Sequence, residues 1–365
     1  MHFRHIQIKK PCNLNILQGF SFSEVTALPF DGRRINRFAH RLHLHPKSGL
    51  WKAKAEEAFH SMKGYLCVAM AAVMWASSGT AGKALFTGGM TPFELVQIRV
   101  TISTVLLFMV FGIGFRSLFK IRPRDLWYFF LLGGVVMALV QVTYFYAISK
   151  IQVAAAIFLQ YLAPVMVAFF SICFWKECLT PAKLAALLLS LGGCYLVVGG
   201  YSLHLLKMNQ LGIFAGLSSA LCFAAYTLAG EKGMHRYSPW TVLFYSFLFA
   251  TISWHTFYPP FQYFTTDYTT AQWGWILYVS IVGTVLPFGL FFVGVNHVRS
   301  TRASITATLE PISAGLFAFL FLGESLQPLQ IAGGAMVVTA IVVLQMKKEQ
   351  DELSPHSIRN RCGTP

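Results

Sequence analysis

The chain reads as an all-α integral membrane protein in which ten transmembrane helices form two inverted five-helix repeats. Three observations carry that reading. Hydrophobic side chains make up 55% of the 365 residues and charged ones only 12%, whereas roughly a quarter of the residues in soluble domains carry charge. Between residues 64 and 346 the apolar residues come in runs close to the ~20 residues that cross a bilayer core, without the polar–apolar alternation of a barrel wall. Prolines and acids also recur at one separation: Pro92 and Pro239, Pro164 and Pro311, Glu177 and Glu324, and Pro181 and Pro328 each lie 147 positions apart.

Taken in order, residues 1–62 are a basic extension, read as disordered or as sequence upstream of the true start. They hold no apolar core long enough for a secretory signal. They read either as a polybasic tail near anionic lipid or as residues preceding a start at Met62, and in both cases as dispensable. The acids Glu24, Asp31, Glu56 and Glu57 interrupt an Arg-rich organellar presequence. The first repeat, 63–200, supplies spans at Gly64–Phe86, Pro92–Phe115, Leu126–Ser149, Ile151–Phe174 and Pro181–Gly200. The second, 209–346, supplies Asn209–Gly230, Pro239–Phe257, Thr270–Gly294, Arg302–Leu322 and Leu326–Met346, and residues 347–365 form a tail. Five spans is an odd number, so the second copy enters the bilayer from the opposite side, as in secondary transporters built from inverted repeats. Because one chain supplies both halves, a monomer suffices, and nothing in the sequence speaks against a dimer.

Charge sets the orientation and excludes other function classes. The net +15 divides into +7 before residue 64, +7 within the bundle and +1 after residue 346. None of these is a basic patch on a soluble domain, so no nucleic acid is expected. Alternate loops hold Arg116, Lys120, Arg122 and Arg124, then Lys176 and Lys183, then Lys232 and Arg236, then Arg299 and Arg302, while the intervening loops hold only Lys150 and Lys207. Lys and Arg mark cytoplasmic loops. The membrane is expected to be the cell (plasma) membrane, with both termini in the cytoplasm and the Tyr258–Thr269 connection outside. Seven scattered cysteines lack the spacing of a metal site or a disulfide framework. Ser77–Ala84 lacks the leading Gly and final Ser or Thr of a phosphate loop and lies inside a span. Asp125 and Asp267 fall at opposite surfaces, too far apart for a paired-aspartate enzyme. No catalytic residue, metal or cofactor is expected.

The residues Trp75 to Lys83, the run Tyr161-Leu-Ala-Pro164 with its copy Thr308-Leu-Glu-Pro311, and the ending Leu322-Gly-Glu324-Ser-Leu-Gln-Pro328 resemble the EamA-type branch of the drug/metabolite transporter superfamily. The resemblance spans both halves, with Trp175-Lys176-Glu177 standing where Gly-Glu is common. It implies a gradient-linked carrier or exporter of small metabolites, often amino acids or related amphiphilic solutes, with the third, fourth, eighth and ninth helices around a central cavity. A non-transporting membrane scaffold or sensor is the rival reading.

Candidate lining residues follow from helical register and from the cost of polar groups in lipid. Gln141 with Tyr144, and Gln160 with Tyr161 and Pro164, each share a face. Trp75, Ser78 and Tyr226 join them as lining candidates. Pro164, Pro287 and Pro311 would free the carbonyls of Gln160, Gly283 and Ala307, because proline cannot bond four residues back; this gives either a polarised lining or packing kinks. Arg99 is either a structural partner for an acid or helix end, or a substrate contact. Glu310 has Ala163 as its repeat mate. It is the proton-coupling candidate, since a carboxyl in apolar surroundings holds a proton more readily than one in water; the alternative is a hydrogen bond or a pairing with Arg99. Glu310 and Pro311 are about 100° apart around a helix, so both cannot face one cavity squarely. The orientation is checked by a Cys placed at Arg122: an impermeant thiol reagent added outside sealed cells should leave it unlabelled, and external labelling would reverse the assignment.

Overall fold

Helices in this chain start where proline or a short polar side chain can serve the unpaired N–H groups of a first turn. Thr91 and Glu94 form a reciprocal capping box ahead of α2, Pro92–Gly114, in which Glu94 accepts the Thr91 N–H at 2.8 Å. Thr180 caps Pro181–Val197 (α5), Asn209 caps Gln210–Met234 (α6) and Ser238 caps Pro239–Phe257 (α7). The periodic prolines Pro92, Pro181, Pro239 and Pro328 thus mark equivalent helix starts in the two halves.

The computed structural model describes residues 49–175, 179–202, 209–259, 268–322, 327–346 and 354–362. Glu177 and Glu324, most of the Tyr258–Thr269 connection, and residues 1–48 lie outside the described residues. By internal packing the chain divides into Met1–Glu56, described only from residue 49 and helical there, and Glu57–Pro365, which contains the bundle. The first helix, α1, runs Gly49–Thr87, so helix begins inside the segment 1–62 that the sequence sets apart. The described residues are helical throughout, without strands. Among the described residues seven helices are long and apolar enough to cross a membrane: His60–Thr87 within α1, α2, Pro123–Lys150 (α3), Val153–Phe174 (α4), α6, Thr270–Val298 (α8) and Pro328–Met346 (α10). α5 is a shorter apolar helix, and α7 is long enough but carries many Trp, Tyr, Ser and Thr residues.

The fourth and ninth spans differ from the continuous helices that the sequence suggests. α4 stops at Gln160 and resumes as Ala163–Trp175, and α9 consists of Ser300–Thr306 followed by Leu309–Leu322. Both breaks fall just ahead of the paired prolines. Pro164 and Pro311 occupy the first turn of a new segment, where a missing N–H costs nothing. Glu310, placed by the sequence about nine residues into a helix, is therefore the second residue of one. α3 and α8 each contain a π-helical stretch, Phe130–Met137 and Ile281–Val285, at corresponding depths.

The halves interlock. α1 packs on α8, α6 packs on α3 and α4, and α5 pairs with α10. In the last pair the backbones nearly touch: a Cβ on Gly193 would meet the Gly333 carbonyl at 2.7 Å, and one on Gly333 would meet the Gly193 carbonyl at 2.7 Å. Between helices in lipid, close approach of small residues supplies much of the attraction.

The two ends of the bundle differ. At the basic end, Arg236 pairs with Asp125 at 2.7 Å and Tyr237 joins the same carboxylate. Glu231, 1% exposed, accepts from Arg299 Nε at 3.0 Å and Ser300 N at 2.7 Å. Those bonds hold the sharp turn from α8 to α9, where Arg299 adopts φ 69°, a conformation costing of order 1–3 kcal/mol for a non-glycine residue. At the other end Gln272 donates to the Gly88 carbonyl and Gln97 to the Pro259 carbonyl.

Gly193→Leu and Gly333→Leu should each lower the thermal unfolding midpoint, with overpacking costing about 1–3 kcal/mol. Gly112→Leu, where a Cβ meets nothing within 4 Å, should leave the midpoint unchanged.

Candidate functional site

Helices from both halves enclose one central cavity. α1 contributes Trp75 and Ser78, α2 Arg99, α3 Gln141 and Tyr144, and α4 Gln160, Tyr161 and Pro164; the second half contributes Phe223 from α6, Gly283 and Phe288 from α8, and Ser304 and Glu310 from α9. Space for the centres of water-sized molecules is about 40 Å³, a few waters by the ~10–15 Å³ that each requires.

Glu310 and Arg99 have separate partners. The Tyr161 hydroxyl lies 2.6 Å from Glu310 Oε2 and 2.8 Å from the Ala307 carbonyl oxygen, and Tyr144 hydrogen-bonds the same carboxyl. Arg99 donates from Nε to Thr284 Oγ1 at 2.8 Å and from Nη2 to the Gly283 carbonyl at 3.1 Å. Its guanidinium carbon sits 4.5 Å from the Phe145 ring centre, a cation–π contact. Both charged residues are buried, at 2% and 5% exposure, and they do not pair with each other. Two of the five N–H groups of the guanidinium are used in these bonds, leaving donors for a solute or water.

Two of the acceptors are proline products. Pro287 cannot bond the Gly283 carbonyl and Pro311 cannot bond the Ala307 carbonyl; Arg99 donates to the first, and the Glu310 N–H at 3.0 Å and the Tyr161 hydroxyl share the second. A carbonyl without a partner in the bilayer core costs several kcal/mol. The prolines thus act from behind the lining, and neither Pro287 nor Pro311 borders the cavity, since each faces away from its lining neighbour, Phe288 or Glu310. Tyr226 is also absent from the lining. It is fully buried, stacked on Phe292 at 4.9 Å between ring centres and behind Phe288.

The other nine sequence candidates meet at the cavity. Gln160 donates to Ser219 on α6 at 2.9 Å, Ser78 back-bonds to the Trp75 carbonyl, and Gln141 has a weak contact to the Met137 sulfur at 3.8 Å. Trp75 packs edge-on against Phe288 at 5.1 Å and Phe223 at 6.0 Å. Phe145, Phe223, Phe288 and Ser304 are lining residues that the sequence reading did not select. A phenylalanine in an apolar helix carries no local signal.

The model of the EamA-like transporter family matches residues 62–199 and again residues 210–346. The chain belongs to the EamA-like transporter family. An uncharacterised transporter of Archaeoglobus fulgidus is 32% identical over 214 residues, covering 58% of this chain and 75% of that protein. The pseudopaline exporter CntI of Pseudomonas aeruginosa is 28% identical over 265 residues, covering 70% of this chain and 87% of the exporter. A crystal structure with 17% identity superposes at a TM-score of 0.60 over 78% of this chain and 96% of its own, a likeness of fold. Membership in the family makes this chain a membrane transporter, which replaces the scaffold reading.

Tyr161→Phe should remove the bonds that tie α4 to the Ala307 carbonyl and to Glu310 and lower stability by about 1–2 kcal/mol, the scale of hydrogen bonds between membrane helices. The loss is read as a fall in the thermal unfolding midpoint, and an unchanged midpoint would show that these bonds do not hold the halves together.

Proposed function

We infer that this EamA-family transporter exports small amphiphilic metabolites, amino acids or related solutes, by alternating access of the central cavity. The observation that carries the reading is a small central chamber in which a guanidinium and a carboxyl hold separate partners beside an aromatic wall. Arg99 suits a solute carboxylate, Glu310 an amine, and Trp75, Phe223 and Phe288 an apolar body. The likeness to a protein named as an exporter supports the outward direction. In this reading ten spans cross the cell membrane as two inverted repeats, with the basic end cytoplasmic by the positive-inside rule. Residues 63–200 and 209–346 are the repeats, and a monomer is sufficient.

A chamber holding only a few waters is too small for a metabolite, so the halves must separate to admit one. The breaks ahead of Pro164 and Pro311 offer places to bend, because α4 and α9 already lack continuous hydrogen bonding there. Bending at both would open the chamber to one side at a time.

Glu310 is the proposed proton site. The Tyr161 hydroxyl has one proton and two acceptors in reach, Ala307 O and Glu310 Oε2. A charged carboxylate competes with the carbonyl for that proton, whereas a protonated carboxyl donates to the phenol oxygen and leaves both contacts satisfied. Gain and loss of a proton would therefore tighten and loosen the tie between α4 and α9.

Glu310→Gln preserves shape and removes titration. Solute counterflow in proteoliposomes should survive in this variant while accumulation or extrusion driven by an imposed pH gradient disappears. A full response to the gradient would move coupling elsewhere.

A further inference from the structure

Three histidines far apart in sequence meet at the basic end of the bundle. His60 lies on α1, His297 is near the end of α8, and His356 lies on a separate C-terminal helix, Pro355–Cys362 (α11). Their ring centres are 5.2 Å apart for His60 and His297, 4.9 Å for His60 and His356, and 5.0 Å for His297 and His356. One nitrogen of each lies within 4.8 Å of the others, and all three rings are half-buried. His297 Nδ1 is buried without a hydrogen-bond partner.

The helix packing fixes this meeting. One turn beyond His60, Gly64 lies against α8, where a Cβ on Gly64 would be 2.7 Å from Val298 and 2.9 Å from His297. A Cβ on Gly294 would likewise clash with the Val68 side chain. No larger residue fits this crossing, so His60 is pressed onto His297. α11 is secured separately: Arg359 Nη1 donates to the carbonyls of Met234 at 2.7 Å and Tyr237 at 2.9 Å, and to Asn296 Oδ1 at 3.2 Å. That anchor on α6 and α8 carries His356 to the other two rings.

We propose that His60, His297 and His356 form a zinc-class divalent-cation site that fastens the C-terminal helix to α1 and α8. Neutral imidazoles are preferred ligands for such ions, and three of them leave a fourth tetrahedral position for water. Bonds of about 2.0–2.1 Å set ligand nitrogens roughly 3.3 Å apart, so the rings close by about an ångström and turn out of the stacked arrangement, 14° between planes, that His60 and His297 adopt. Two cations lie nearby, and a bound ion must tolerate both: Lys63, which is exposed, and Arg359, whose Nη1 is held by its three acceptors. α8 also supplies Gly283 and Phe288 to the transport chamber, so a bound ion would restrain a helix of that chamber from its basic end.

The test uses the full chain, purified without a polyhistidine tag and stripped with EDTA, and reads Zn²⁺ binding by competition with a chromogenic chelator alongside thermal unfolding. One Zn²⁺ per chain is expected, with a rise in the unfolding midpoint. His297→Gln, His356→Gln and a chain beginning at Met62 should each bind at least about tenfold more weakly, since loss even of an outer-shell partner costs 10–100-fold. An unchanged midpoint in the absence of metal identifies variants whose fold is intact. Absence of stoichiometric Zn²⁺ in the parent, or equal affinity in folded variants, overturns the proposal. Because the readout is metal binding rather than flux, it stands or falls apart from the transport reading.

Discussion

A carbonyl that loses its helical N–H inside a bilayer has no water to turn to, and this requirement organises the centre of the molecule. Pro287 and Pro311 each remove the N–H that a carbonyl would meet four residues on, although at Ala307 the Glu310 N–H also reaches the oxygen. The groups that answer them, the Arg99 guanidinium and the Tyr161 hydroxyl, come from the other half of the chain. The same side chains line the chamber, so the bonds that hold the halves together at the midplane are also those that give it polarity. Anything that rearranges Arg99 or Tyr161 alters the fit between halves.

The wider packing spreads that coupling along the bundle. Because α1 packs on α8 and α6 on α3 and α4, neither half forms an independent body. Close glycine contacts and aromatic stacks join each half to the opposite repeat. The ends are held differently. At the basic end Glu231 secures the strained Arg299 turn and Arg359 draws in the C-terminal helix. The other described end is tied mainly by hydrogen bonds from Gln97 and Gln272 to loop carbonyls.

Chemical asymmetry accompanies near-symmetric backbones. The two π-helical stretches and the two breaks fall at matching depths, as expected of a duplicated chain. At the second break Glu310 replaces the alanine found at the first, Ala163, and both residues border the same chamber. A duplicated fold thereby carries one carboxyl rather than two, and in apolar surroundings a second like charge so near would be costly.

The bilayer makes much of this legible in the sequence. Long apolar runs must be helices, because lipid offers the backbone no other partner, and the start of α7 and the proline-led starts of α2 and α5 follow from the same sequence that places the repeat. Polar residues in helical register identify a face, so Gln141, Tyr144, Gln160 and Tyr161 could be assigned to an interior before any contact was known. Register does not say what lies opposite. Tyr226 looked equivalent to those residues, yet Phe292 covers it, and Phe288 lines the chamber although nothing local distinguishes it from its neighbours. The meeting of His60, His297 and His356 was equally hidden, because three histidines separated by most of the chain carry no spacing pattern. Sequence determined the helices, their duplication and the polar faces, since those depend on local hydrogen bonding and solvation. Only tertiary structure decided which faces meet, where α4 and α9 part, and which freed carbonyl each side chain takes, because these are set by contacts between residues that the chain order does not bring together.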